Sequence, residues 1–559
     1  MKNWSQRQLF FLFLIIWILI NLLQAIFTEI TNDEAYYGLY GKYLSWGYFD
    51  HPPMVALLTR ISSLLFTGNL GIRFMTVILQ IGTLVLTWKL LETTQLSNTK
   101  VINFFIIAAS LVMFSAYGFI TTPDVPLLFF TALFLYAYHQ FLKSNSWLAA
   151  MLLTASMAGL VYSKYQAVLV IGFVVLSNLG LLKNYKFWLA GFIALILLFP
   201  HFLWQYENDF PSFRYHLINR SSGFKLGNLL EYLPNQIAVY NPFTFGAIVY
   251  VLLKYKTQNL FERAQYFIII GFICFFWLTA FRGHVEPQWT VACSIPMIVL
   301  LVNASMKDSK LSNYIRTFIA WSLLLILLIR IILITNLSPS WYGYSGKEAR
   351  YKAIEKIAGD KPVIFNKSFQ EPSLYTFFNQ KECQVISTLK GRQTQFDLWQ
   401  LEQNYQNKPV FICSYIKGKY KVYTYKGGRF RGFFADSLQT TNRVKIKFEI
   451  AEKSVQIGDS ISISFVISNP TKHAINFNHR EFPVELYAVY IKGKCVIIQK
   501  VTLNKPISIL HPNEKLNNKI KMVIPNLNSD NYHFGLTLKT LFGSTLNSNF
   551  VKIEIKKHD

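Results

Sequence analysis

The chain has 559 residues, of which 52% are hydrophobic, 16% aromatic and only 15% charged, and its formal net charge is +26. That length holds several domains, and so much Phe, Leu and Ile excludes an ordinary soluble enzyme. The basic excess is dispersed rather than clustered, so no nucleic-acid partner is expected, and anionic lipid headgroups are the simpler attraction.

The charge is also uneven. Residues 1–337 hold 22 Lys/Arg and 12 Asp/Glu, whereas residues 338–559 hold 33 and 17. The first block is apolar, the second basic and polar, and the main domain boundary is expected there. The five cysteines, Cys274, Cys293, Cys383, Cys413 and Cys495, suggest neither a disulfide framework nor metal-ligand spacing.

Apolar runs long enough to cross a bilayer cover residues 9–27, 70–91, 101–120, 126–142, 146–162, 165–182, 187–204, 236–253, 264–281, 289–305 and 317–337. The expected fold is an α-helical polytopic membrane protein with about eleven transmembrane helices. The first run exceeds a signal-peptide core and lacks a small-x-small cleavage site, so it is expected to persist as a span. With the N-terminus inside, the cytoplasmic segments collect 13 Lys/Arg, from Lys2 and Arg7 to Lys310 and Arg316. The positive-inside rule then predicts an N-in, C-out topology with an extracytoplasmic C-terminal region. Of the 12 acids in the block, only Glu92, Glu262 and Asp308 fall inside. None needs to lie at the bilayer centre, which disfavours an ion-coupled transporter and points to chemistry at the outer surface. A membrane transporter or flippase is the alternative reading.

The first external loop carries Asp33-Glu34-Ala35-Tyr36-Tyr37 and then Trp46-Gly47-Tyr48-Phe49-Asp50-His51-Pro52-Pro53. Tyr36, Tyr40, Tyr43 and Leu44 share one helical face, which predicts a helix lying in the interface with its tyrosines at headgroup level. A second short apolar helix follows over 54–66. Helix capping alone accounts for an acidic pair at a helix start. Farther on, Asp124 sits in the turn Thr121-Thr122-Pro123-Asp124, and Lys164 in a very short external turn where a phosphate-binding role competes with snorkelling. The loop 205–235, with Arg214, His216, Arg220 and Lys225, is a candidate lid. The connection Arg282-Gly283-His284-Val285-Glu286-Pro287 is dense in polar groups.

In the second block, residues 338–438 mix a helical pattern at 347–358 with short strands at Pro362–Phe365 and Pro409–Cys413, predicting a small α/β domain. Residues 439–559 alternate as strands at Val444–Ile450, Ile461–Ile467, Val484–Ile491, Cys495–Val501, Ile520–Ile524, Tyr532–Leu538 and Phe550–Ile555. That pattern predicts an immunoglobulin-like β-sandwich.

The Asp33–Tyr37 and Trp46–Pro53 motifs, Thr122-Pro123-Asp124 and Lys164-Tyr165, in this order and topology, resemble the GT-C class of polyprenyl-phosphate-dependent glycosyltransferases. The similarity is greatest to the family of protein O-mannosyltransferases and lipid A aminoarabinose transferases, over roughly residues 5–310. The resemblance implies a glycosyltransferase in a bacterial-type inner membrane. It would move a sugar from a polyprenyl-phosphate carrier to an envelope glycolipid, polysaccharide or protein. Asp33 then becomes the base or acceptor-orienting group, with Glu34 the second candidate and Asp124 a further carboxylate near the donor sugar. Lys164, Arg282 and His51 are candidates for the donor phosphate, and Tyr36, Tyr37, His284 and Glu286 for binding acceptor or donor. No cofactor is expected, since relatives are typically metal-independent and no Asp-x-Asp or His/Cys cluster is present. A divalent cation is left open.

Overall fold

The computed structural model describes the chain apart from residues 1–3, 92–96, 217–222, 336–345, 367, 390, 417, 451–452, 494 and 558–559. It divides into two units, Met1–Ser345 and Gly346–Asp559.

The first unit is helical. It begins with α1 (Gln6–Phe27), α2 (Asn32–Lys42), α3 (Met54–Leu65) and α4 (Gly68–Lys89). Then come α5 (Asn98–Ser110), α6 (Val112–Ala116), α7 (Asp124–Ser144), α8 (Trp147–Ser163) and α9 (Val168–Ser177). Beyond these lie α10 (Tyr185–Leu197), α11 (Phe199–Glu207), α12 (Pro211–Arg214), α13 (Leu226–Tyr240) and α14 (Pro242–Lys254). The unit closes with α15 (Leu260–Ala280), α16 (Ser294–Lys307), α17 (Ser309–Tyr314) and α18 (Ala320–Thr335).

Among the described residues, six helices are long and apolar enough to cross a membrane, or eight if α10–α11 and α13–α14 each form one bent span. The remaining runs read from the sequence fall on shorter pieces: α5–α6, broken at Leu111, then α8, and the helical stretch Tyr165–Ser177. Proline and positive φ account for the bends. Pro200 enters the first turn of α11, and Asn241 (φ 66°) with Pro242 turns α13 into α14 through 100°.

The first loop forms the expected pair of short helices, α2 and α3, but α2 does not lie with its tyrosines among headgroups. Tyr36 and Tyr40 are 2% and 0% exposed. Tyr36 packs on Tyr40, which the following loop covers through Asp50 and Tyr48, while α3 packs closely on the neighbouring face of α2. Gly41 meets Thr59 and the Arg60 backbone, leaving no room for a Cβ. Thr59 Oγ1 donates to the Tyr37 carbonyl at 3.0 Å.

One buried ion pair ties this loop to the bundle. Arg73 of α4 grips Glu34 of α2 with two hydrogen bonds, Nε to Oε1 and Nη2 to Oε2, each 2.7 Å, and both side chains are fully buried. Arg73 also donates to the carbonyls of Ala25, Thr28 and Glu29 at the end of α1. Glu34 accepts from Thr31 N–H at 3.0 Å, closing a capping box at the start of α2. It also accepts from Thr121 N–H at 2.9 Å, in the turn before α7. Burial pushes the Glu34 carboxyl up, but Arg73 and these two amides outweigh it and hold it below its ordinary range. A second cation, Arg330, ties α18 inward by donating to the Ser115 carbonyl (2.7 Å) and to Asn21 (3.2 Å), with Phe119 beneath it.

The second unit opens with α19 (Lys347–Ala358), β1 (Val363–Asn366), α20 (Gln370–Asn379), β2 (Gln384–Ile386), α21 (Gln395–Trp399) and β3 (Val410–Cys413). The hairpin of β4 (Lys421–Tyr425) and β5 (Gly428–Ala435) completes one sheet, ordered β2-β1-β3-β5-β4, in which β1 is parallel to β2 and β3. The strands after it are β6 (Lys445–Phe448), β7 (Ser454–Gln456), β8 (Ser460–Ser468), β9 (Ile475–Asn476), β10 (Glu485–Lys492) and β11 (Cys495–Lys500). The last are β12 (Ile509–Leu510), β13 (Lys515–Val523), β14 (Asp530–Thr540), β15 (Gly543–Ser544) and β16 (Val551–Lys556). Sheets β11-β10-β14-β16-β7 and β13-β8-β6 share one buried core that includes Ile463, Phe465, Tyr490 and Phe534. The two parts touch across residue 438, where Ile364, Ile412 and Leu438 pack in one cluster with Phe482 and Phe542.

Arg73→Met leaves the Glu34 carboxylate buried without its cation and is expected to cost ~3–5 kcal/mol of stability, measured by unfolding in detergent. A loss near that of a surface pair, under ~1 kcal/mol, would contradict the brace. Because the folded Glu34 carboxyl titrates below its ordinary value of 4.5, its contribution is present at neutral pH and is lost as pH falls through the folded value. The Glu34→Gln deficit is therefore expected at pH 7 and should close in acid.

Candidate active site

The brace decides which carboxylate faces outward. Successive residues on a helix point about 100° apart, and with Glu34 turned into the protein its neighbour Asp33 is left exposed in the first turn of α2. Glu34, the second catalytic candidate, has both carboxylate oxygens committed to Arg73, Thr31 and Thr121. Its position is that of a structural anchor.

Asp33 acts electrostatically on Tyr37, one turn along α2, and on Tyr117 in the segment after α6. Asp124, the first residue of α7, acts electrostatically on the same Tyr117. Asp124 in turn accepts from Lys164 Nζ at 2.6 Å, with the two side chains only 5% and 7% exposed. The two motifs, 40 residues apart in sequence, thus meet as a buried ion pair. Lys164 reaches it from the C-cap of α8, just before the turn Tyr165–Ala167.

The Trp46–Pro53 motif closes over the same cluster. The Tyr37 hydroxyl and His51 Nε2 lie 3.2 Å apart. Tyr40 donates to Asp50 Oδ1 at 2.6 Å and stacks on Tyr48, with ring centroids 3.9 Å apart. Burial, and then the nearby carboxylates Asp33, Asp50 and Asp124, push the Tyr37 hydroxyl well above its ordinary range; burial and Asp50 do the same for Tyr40. Both phenols therefore remain neutral donors at physiological pH.

Several residues that the sequence motifs did not single out hold this loop in place. His201 Nδ1 lies 2.6 Å from the Trp46 carbonyl, so that nitrogen must carry the proton. Its Nε2, 3.2 Å from the Tyr165 hydroxyl, is then the acceptor, and Gln205 donates to the Tyr165 oxygen at 2.9 Å. Ser212 Oγ donates to the Tyr48 carbonyl at 2.8 Å, and His216 Nε2 lies 3.0 Å from the Asp50 carbonyl. Gly47 packs against the Trp204 ring, where a Cβ would collide. The only sequence signal for these partners was the i, i+4 pair His201/Gln205 next to an aromatic-rich loop. The start of the candidate lid is thus fastened to the first loop through Ser212 and His216, while its Arg220 lies outside the described residues.

Arg282, His284 and Glu286 lie in the connection between α15 and α16. Arg282 and His284 are exposed, and His284 Nε2 lies 3.8 Å from Glu286 Oε2. Tyr36 is buried against Tyr40 at a centroid distance of 4.7 Å, a packing role beneath the site rather than an exposed binding surface. Among the described residues, no three His, Cys, Asp or Glu side chains gather as a metal-binding group.

Residues 50–204 match the model of the dolichyl-phosphate-mannose-protein mannosyltransferase family. That segment runs from Asp50 through Asp124 and Lys164 to Trp204, and leaves Asp33 just outside it. No curated protein matches the chain in sequence. Among solved structures, ArnT from Cupriavidus metallidurans in the apo state superposes with a TM-score of 0.55 at 12% identity, covering 75% of this chain and 97% of that one. The same protein bound to undecaprenyl phosphate gives 0.54 at 14% identity, with the same coverage. The chain is a multi-pass membrane protein with a GT-C-like fold, and the match to the mannosyltransferase family model is confined to its residues 50–204.

Proposed function

We propose that this protein is a membrane glycosyltransferase that moves a sugar from a polyprenyl-phosphate carrier to a cell-envelope acceptor, with its site on the outer face of a bacterial-type inner membrane. The observation that carries the reading is the convergence of Asp33, Tyr37, His51 and the Asp124–Lys164 pair at the first loop. The undecaprenyl phosphate bound by the ArnT of similar fold supports a polyprenyl donor.

The chemistry needs a group to hold the attacking hydroxyl and positive charge for the leaving phosphate. Asp33 accepts a hydrogen bond from the acceptor hydroxyl and takes its proton as the new bond to the sugar's anomeric carbon forms. The bond from that carbon to the phosphate oxygen breaks, and its electron pair leaves on the polyprenyl phosphate. Lys164 turns from Asp124 to the phosphate and stabilises that charge. Tyr37, a neutral donor, and His51 orient the sugar or the phosphate beside it.

Asp33→Asn is expected to lower transfer by about 10²–10⁴-fold while donor binding stays near wild type, measured with purified protein and a polyprenyl-phosphate sugar. Transfer at the wild-type rate would remove Asp33 from the chemistry. The buried pair supplies a sharper test. Lys164→Met alone and Asp124→Asn alone should each lower thermal stability, because each disrupts the buried ion pair. The Asp124→Asn/Lys164→Met double variant should recover stability yet still fail to bind donor. If it recovers both, the pair is only structural.

A further inference from the structure

The second unit contains a crevice remote in sequence from the residues assigned above. In its first sheet, the chain leaves β1, forms α20 and returns as β2 on one side of β1, whereas β3 lies on the other. The strand order therefore reverses between β1 and β3. In open sheets of this kind, ligands bind beyond the carboxyl ends of the strands at such a reversal. A cavity of about 580 Å³ lies there, lined by Asn366 at the end of β1 and by Cys413 and Ser414 at the end of β3. That volume is within the range of small-molecule sites.

Its charge is one-sided. Arg350, Arg429 and Arg431 line it against the single carboxylate of Glu371, which leaves a net charge of +2. Arg350 spends Nη2 on Glu371 at 2.8 Å. Arg429 and Arg431 are two apart on β5 and so project from the same face of the strand. The Arg431 guanidinium rests over the rings of Tyr415 and Tyr420, 5.0 and 5.5 Å from their centroids, which orders it before any ligand arrives.

Two lining atoms are buried without a hydrogen-bond partner: Asn366 Oδ1, an acceptor, and Arg350 Nε, a donor. A buried polar atom left unpaired costs about 1–3 kcal/mol. A hydroxyl group can satisfy both kinds, donating to one while accepting from the other. Hydroxyls beside an anion, facing arginines and a carboxylate, describe an acidic sugar.

We propose that this crevice binds an anionic saccharide, its phosphate or carboxylate held by Arg429 and Arg431 and its hydroxyls by Asn366, Arg350 and Glu371. The site is distinct from the transfer site and does not depend on that reading.

The test uses the full chain in detergent, with glucose 6-phosphate, glucuronate, glucose and inorganic phosphate followed by ligand-detected NMR. At least one of the two acidic sugars should bind, and glucose and inorganic phosphate should each bind at least about tenfold more weakly, since each offers half of the recognised groups. Arg429→Gln/Arg431→Gln should weaken the acidic sugar by at least about tenfold. Val422→Glu, which places a carboxylate on an exposed lining position, should do the same by repulsion. The Asp124→Asn/Lys164→Met double variant should bind as the wild type does, which separates this site from the donor site. Binding of neither acidic sugar, equal binding of inorganic phosphate, or affinity unchanged by both crevice variants would overturn the proposal. Binding lost in the Asp124→Asn/Lys164→Met variant instead would do so as well, by assigning the sugar to the membrane unit.

Discussion

The site depends on a single guanidinium. Arg73 sits fully buried in α4 and binds the end of α1 through three carbonyls and the start of α2 through Glu34. Glu34 extends the same junction to the Thr121 amide, three residues before Asp124. Four chain segments are thus fixed relative to one another by one ion pair and its hydrogen bonds. A buried pair is costly to break because the surviving partner is stranded, so this junction holds its geometry. That rigidity places Asp33 at the surface and Asp124 beneath it.

Above the junction, the first loop is held by hydrogen bonds whose direction can be read. The Trp46 carbonyl fixes the His201 tautomer, which in turn sets Tyr165 as a donor and its oxygen as the acceptor of Gln205. Tyr165 directly follows Lys164, so the amine that would meet the phosphate is flanked by a residue oriented from the loop. Asp124 then has two parts to play. In the proposed mechanism it holds the buried lysine in place before the donor arrives, and it becomes available to the sugar once the phosphate takes the lysine over. Preorganised charge of this kind is the main lever such a site has on a departing phosphate.

Much of this was legible in the sequence, for identifiable reasons. Hydrophobic runs and turn chemistry marked the helices of the first unit, and strict alternation marked strands such as β8, β10 and β14. The motifs around Asp33, Asp50 and Asp124 and the Lys164 turn were visible as polar residues at the ends of apolar runs. Three things were not legible. The direction in which α2 rolls depends on Arg73, a residue inside an apolar helix whose partner lies 39 positions away, and no local pattern announces such a pair. For the same reason Tyr36 and Tyr40 read as interfacial when they are core. The partnership of Lys164 with Asp124 was equally hidden, because each stands alone in its own turn. Nor did alternation in the second block reveal the strand-order reversal at Asn366 and Cys413, which is a property of pairing rather than of any segment.

The central claim is that the Asp124–Lys164 pair opens to receive the donor phosphate. The most direct measurement is an experimental structure of this protein with a polyprenyl phosphate bound. The account requires a phosphate oxygen within ~3 Å of Lys164 Nζ, on the side of the first loop where Asp33 is exposed. A phosphate seated elsewhere, on Arg282 for instance, with Lys164 still closed on Asp124, would contradict it.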